Sequence, residues 1–93
     1  MKAIWNGTII AESNTTKVVE DHHYFPPNSV RKELLRESSY RSTCPWKGEA
    51  HYYDVVVDDQ ENKRAAWYYP APKDAASEIK DHVAFWRGIE IKE

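Results

Sequence analysis

Cys44 is the only cysteine in the 93-residue chain, and it stands in the run Cys44-Pro45-Trp46-Lys47-Gly48. Proline suits the second position of a β-turn, and Trp46 at the third disfavours the turn type that needs a positive φ there. A β-turn over residues 44–47 would bring its ends within about 7 Å between Cα atoms. Lys47, with Arg41 as a second cation, would then lie near the thiol and could favour the thiolate, the form of cysteine that acts as a nucleophile. His23 is an alternative activator, and Gly48 would leave its N–H free for an oxyanion. The plainer reading of Cys44 is a small buried hydrophobe, and of Lys47 a solvated charge.

Three aromatic-proline segments offer a second kind of site: Tyr24-Phe25-Pro26-Pro27, Cys44-Pro45-Trp46 and Trp67-Tyr68-Tyr69-Pro70. Proline fixes φ and pushes the preceding residue to extended geometry, so these rings make stiff walls. Tyr24, Trp46, Tyr52 and Tyr69 are expected to clamp a small planar or anionic ligand, with Lys47 supplying charge and with Gly48 and Trp67 beside them. For Phe25 and Trp67, packing in the core is the simpler role. Of His22 and His23, neighbours on a strand, at most one enters a given site. With His51 and His82 they show no zinc-ligand spacing, so no metal is expected and no cofactor is indicated.

The strands that must position these groups are legible in the pattern. Asn6-Gly7, flanked by Ala3-Ile4-Trp5 and Thr8-Ile9-Ile10-Ala11, signals a hairpin. Ser13–Thr16 reads as a turn, and Lys17-Val18-Val19 is expected to run extended through His22–Phe25. Residues 28–37 place Val30, Leu34 and Leu35 on one side of a three-turn amphipathic helix, capped by Asn28 or Ser29. Glu49–Val57 and Arg64–Tyr69 read as a hairpin around a polar loop at 58–63. If Val57 faces Arg64, Tyr52 lies opposite Tyr69 and Asp54 opposite Trp67. Alternation then puts Ala50, Tyr52, Asp54 and Val56 on one face with Ala65, Trp67 and Tyr69. Residues 44–47 and 69–72 fall at the same end of that hairpin. Asp74 is placed to cap a short second helix over Ala75, Ala76 and Ile79. Val83, Phe85, Ile89 and Ile91 alternate as a last strand, interrupted near Arg87-Gly88. The expected class is mainly β (α+β): one antiparallel domain over residues 1–93, with one amphipathic helix and a short second one.

Composition narrows the function. The net charge is −2, from 13 basic and 15 acidic residues, which argues against nucleic acid as the partner. No apolar run is long enough for a membrane span, and the first residues lack a signal peptide's apolar stretch. A lone cysteine fits a reducing compartment, so a cytoplasmic location is expected. The chain contains 4 Trp, 6 Tyr and 2 Phe, so much of its large apolar surface is aromatic, and Tyr and Trp carry a polar tip that wants a partner. No P-loop, GxGxxG, GxSxG or HExxH motif occurs. An interaction domain with an exposed sheet edge or aromatic patch is a third class the residues allow.

Three stretches together resemble the domain of unknown function 427 family: Tyr24-Phe25-Pro26-Pro27, Cys44-Pro45-Trp46-Lys47-Gly48-Glu49-Ala50-His51-Tyr52, and Ala65-Ala66-Trp67-Tyr68-Tyr69-Pro70-Ala71-Pro72. Ile10-Ala11-Glu12-Ser13, Val18-Val19-Glu20 and Val83-Ala84-Phe85 fit it too, so the likeness covers nearly the whole chain. The family is largely bacterial and fungal, lacks an established activity and sometimes carries a nucleotidyltransferase-like label. The resemblance implies that Cys44, Lys47, Tyr24, Tyr52, Trp67 and Tyr69 form one site. Nucleotidyl transfer needs carboxylates around a divalent ion and a phosphate cradle, whereas Asp58-Asp59 is expected in a loop far from Cys44. A ligand-binding module is therefore the first expectation, a thiol-dependent enzyme with Cys44 as nucleophile the alternative, and nucleotidyl transfer the less favoured.

Overall fold

A computed structural model describes residues 1–93. It contains nine strands: β1 (Lys2–Trp5), β2 (Thr8–Glu12), β3 (Lys17–Val19), β4 (His22–Tyr24), β5 (Leu35–Cys44), β6 (Gly48–Val57), β7 (Gln60–Tyr68), β8 (Val83–Phe85) and β9 (Glu90–Lys92). They form a three-stranded sheet in the order β2-β1-β9, a two-stranded β3-β4 ribbon and a four-stranded sheet β5-β6-β7-β8. Every strand pair is antiparallel. No helix is long and apolar enough to cross a membrane.

Three two-residue turns set this plan. Asn6-Gly7, Glu20-Asp21 and Asp58-Asp59 each have both residues at positive φ (52° and 73°, 51° and 67°, 49° and 66°). That is the backbone of the two-residue hairpin loop whose twist matches the flanking strands. Only the first carries the Asn-Gly signature. The expected continuous strand over residues 17–25 is therefore corrected to a hairpin, β3–β4, turning at Glu20-Asp21. The expected loop at 58–63 shrinks to Asp58-Asp59, with Val57 facing Gln60.

The register of the β6–β7 hairpin is corrected as well. Tyr52 faces Trp67, and Tyr53 faces Ala66, while Val55 faces Asn62. Between them β7 carries extra residues in a bulge at Arg64, whose φ is 56° and whose N–H donates to Asp54 Oδ1 at 2.9 Å. The difference from the expected pairing at the Tyr52 end is two residues. A slip of two keeps a side chain on its face, whereas a slip of one would invert it, so Ala50 and Tyr52 still share a face with Trp67 and Tyr69, while Ala65, expected there, joins the opposite cluster next to the bulge.

The amphipathic helix at 28–37 is not formed. Short 3₁₀ turns occupy Pro27–Ser29 and Lys32–Leu34, and Leu35 begins a ten-residue strand. Val30 is extended (φ −107°, ψ 133°) and bridges Ala11, and the Arg31 N–H donates to the Ile10 carbonyl at 2.9 Å. Pairing with β2 and β6 takes the backbone hydrogen bonds that a helix would use, and a helix of about ten residues has little intrinsic stability to resist this. The second helical segment is a 3₁₀ stretch over Asp74–Ile79, kinked at Ala76, that buries Ala76 and Ile79. Lys73, not Asp74, stands at its cap position, without a side-chain cap. The last expected strand is two strands in two sheets, separated by Arg87 (φ 54°) and Gly88 (φ 84°).

The four-stranded sheet packs on both faces. On β8, Val83 and Phe85 join a largely aliphatic cluster with Ile10, Phe25, Val55 and Val57. Ala84, between them, joins the other cluster with Tyr24, Ala50, Trp67, Tyr69, Ala76 and Ile79. Period-two alternation produces this division. Phe25 and Val83 tie the β3–β4 ribbon to the sheet through mutual N–H···O=C bonds of 2.8 and 2.9 Å, which sends the neighbouring Tyr24 and Phe25 into opposite clusters.

Candidate functional site

The aromatic face opens into a cleft of about 260 Å³ lined by Glu20, His22, Tyr24, Lys47, Tyr52, Trp67, Tyr69 and Trp86. The β3–β4 ribbon supplies the first three, the β5–β6 loop Lys47, the central hairpin and its exit Tyr52, Trp67 and Tyr69, and the end of β8 Trp86. A hollow of about 280 Å³ beside β2, lined by Ile9, Ala11, Glu12, Ser29 and Arg31, brings no ring together with its charges.

The rings brace one another. Trp67 meets His22, Tyr24 and Trp86 edge to face, with centroids 5.0, 6.3 and 5.7 Å away, a favoured arrangement of aromatic quadrupoles. Trp67 Nε1–H donates to the Tyr24 hydroxyl at 3.2 Å. The hydroxyls of Tyr52 and Ser42 share a bond of 2.9 Å, and Tyr40 packs on Tyr52 at 4.9 Å. Burial raises the Tyr24 phenol above its ordinary value, against the opposing pull of the Trp67 hydrogen bond and the Lys47 charge. Burial first, then the neighbouring Tyr24 and Cys44, raises Tyr69 far more. Both phenols are neutral at neutral pH, and one ion pair lies among the rings.

That pair is Lys47 with Glu20. Lys47 is only 7% exposed. Its ammonium lies 5.3 Å from the centre of the Trp46 ring and 5.7 Å from that of Tyr69, within cation–π reach, and donates to Glu20 Oε1. Burial pulls the Lys47 ammonium down, but the Glu20 hydrogen bond and the surrounding Tyr24, Cys44 and Glu20 outweigh it and hold it above the ordinary lysine value. The Lys47 hydrogen bond and charge hold the Glu20 carboxyl below its ordinary value. At neutral pH the cleft therefore contains a cation.

The loop that delivers Lys47 differs from the expected four-residue turn. Cys44 pairs with Gly48, so three residues, Pro45-Trp46-Lys47, form the connection. Gly48 carries a φ of +117°, and a Cβ there would meet the Ala71 carbonyl oxygen at 3.4 Å. The 69–72 segment does sit against this loop. The Lys73 N–H donates to the Lys47 carbonyl at 2.9 Å, and Lys73 Nζ to the Pro45 carbonyl at 2.6 Å.

The structure thus brings together Tyr24, Lys47, Tyr52, Trp67 and Tyr69 as cleft walls. Trp46 flanks Lys47 and is 40% exposed. Gly48 belongs to the loop's anchorage. Cys44 is half-buried at the margin of the aromatic cluster, outside the cleft lining. His23 bonds Thr16 Oγ1 at 2.9 Å, and it is His22 that faces the cleft. Glu20 and Trp86 were not among the expected site residues. Trp86 had a signal, since alternation from Ala84 puts it on the face of Trp67; Glu20 is a turn residue with none. No three His, Cys, Asp or Glu side chains converge to hold a metal ion.

The family model for a domain of unknown function, DUF427, matches residues 1–92. The chain belongs to the DUF427 family. No curated protein matches it. In this DUF427 chain the three aromatic-proline stretches that carry the likeness converge, through the cleft and the loop beside it, on Lys47.

Proposed function

We propose that this DUF427 domain is a binding module for a small planar ligand seated in the aromatic cleft. One observation carries the reading: five aromatic side chains and His22 surround a cavity of about 260 Å³ whose rings are already braced against one another. Such walls lose little freedom when a ligand enters. The volume lies just under the range of about 300–1,000 Å³ usual for drug-sized ligands, so one or two fused rings suit it. Trp67 and Trp86 line the cavity and report on it directly.

The test is tryptophan fluorescence during titration with small planar compounds, beginning with indole-3-carboxamide. Saturable quenching that is lost in a Trp67→Leu variant of unchanged fold supports the module. Quenching that stays linear to millimolar concentration removes it.

Thiol catalysis has less support. Cys44 stands outside the cleft lining, and the cation expected to activate it is engaged by Glu20. Nucleotidyl transfer lacks a cluster of carboxylates that could hold a divalent ion.

A further inference from the structure

Lys47 and Glu20 are an unequal pair. The lysine side chain is 8% exposed and fixed between two rings, whereas that of Glu20 is 56% exposed. A buried ammonium needs a partner. Here the partner comes from the tip of the β3–β4 turn, where Glu20 has a φ of 51°. That conformation suits Gly, Asn or Asp far better than Glu, so the turn itself gives no reason for a glutamate. Its carboxylate gives one.

Lys47 is the only lysine or arginine lining the cleft, and Glu20 the only carboxylate. If the Glu20 side chain rotates into water, which already bathes most of it, the ammonium is left facing aromatic walls with no counter-charge. A ring with an attached anion would fill the cleft and restore the pair.

Resting on the planar-ligand reading above, we infer that the ligand is a planar carboxylate whose anion takes the place of Glu20 on Lys47, with Glu20 standing in for it in the free protein. Glu20 is then a specificity-determining residue. It satisfies Lys47 when the cleft is empty and opposes every anion that enters, so only one whose ring also fits the walls displaces it.

The experiment compares indole-3-carboxylate with its neutral analogue, indole-3-carboxamide, by tryptophan quenching at low salt. The proteins are the full chain, Glu20→Gln and Lys47→Met. Removing the competing charge should tighten the carboxylate about five- to tenfold in Glu20→Gln and move the carboxamide less than twofold. Lys47→Met should erase the difference between the two compounds. Glu20→Asn, better suited to a positive φ, should repeat the Glu20→Gln result if that variant folds poorly. Carboxylate affinity unchanged or weakened in both Glu20 variants, with the carboxamide still binding, would overturn the inference and leave the planar-ligand reading standing. No saturable quenching by either compound in any of the proteins would overturn both.

Discussion

The two faces of the four-stranded sheet are built from alternate residues of the same strands, yet they do different work. One buries Ile10, Val55, Val57, Val83, Phe25 and Phe85, side chains without a polar atom. The other gathers Tyr24, Trp67 and Tyr69, whose polar tips need partners, around a cavity with a buried lysine on its rim. Aliphatic groups gain by closing every gap. Rings with polar tips remain satisfied at the edge of water, so a face made of them can stay open. The contrast places the closed packing on the first face and the open cleft on the second.

Neighbouring residues test this contrast most strongly. Phe25 is fully buried on the aliphatic face, and Phe25→Ala should cost about 3–5 kcal/mol. Against a total of about 5–15 kcal/mol for a domain, that is a large share, and the urea midpoint at 25 °C should fall accordingly. A loss under 1 kcal/mol would mean that the aliphatic face is not the main support. Tyr24, the adjacent residue, belongs to the other face, and Tyr24→Phe removes only the acceptor for Trp67 Nε1–H. It should cost about 1–3 kcal/mol in the same titration and blue-shift the tryptophan emission. Gly48→Ala should cost a similar amount, about 1–3 kcal/mol for a side chain held at its φ of +117°. Because the strain falls on the Lys47 loop, probe binding should suffer more than the melting temperature.

High pH sharpens the comparison more gently. Tyr24 and Tyr69 on the cleft face, and Tyr53 and Tyr68 on the other, are all held above the ordinary phenol value, burial being the first cause in each. A raised pKa means that the folded state keeps the proton more tightly than the unfolded state. The contribution is therefore complete below about pH 10, the free phenol value, and is lost as pH rises beyond it. Phenolate absorbance near 295 nm should climb together with unfolding. Complete ionisation near pH 10 in a protein that stays folded would contradict the burial of these rings. Cys44→Ser should have the smallest effect, a change within about 0.5–1 kcal/mol for a half-buried site, with indole-3-carboxamide affinity unchanged within twofold. Loss of that affinity would return the thiol to the site.

What the sequence disclosed follows the same physics. The face shared by Ala50, Tyr52, Trp67 and Tyr69 was legible because it depends only on parity, which survives a two-residue error in register. The approach of residues 44–47 to 69–72 was legible because any antiparallel pairing of the two strands produces it. The Glu20-Asp21 and Asp58-Asp59 turns were hidden, since acidic residues take positive φ there without the glycine that usually announces it. The helix at 28–37 failed because spacing alone could not reveal that Val30 and Leu35 pair with distant strands. The Lys47–Glu20 contact spans 27 residues and rests on where a ribbon docks, which no local pattern encodes. Thus the rings and Lys47 could be read in advance, and the carboxylate that partners Lys47 could not.

The three-stranded sheet has one further consequence. β1 lies between β2 and β9, so the strand at residues 2–5 cannot acquire its second neighbour until residues 90–92 have left the ribosome. Until then the β1–β2 hairpin has one edge unpaired, the situation in which incomplete chains meet chaperones or stick to one another.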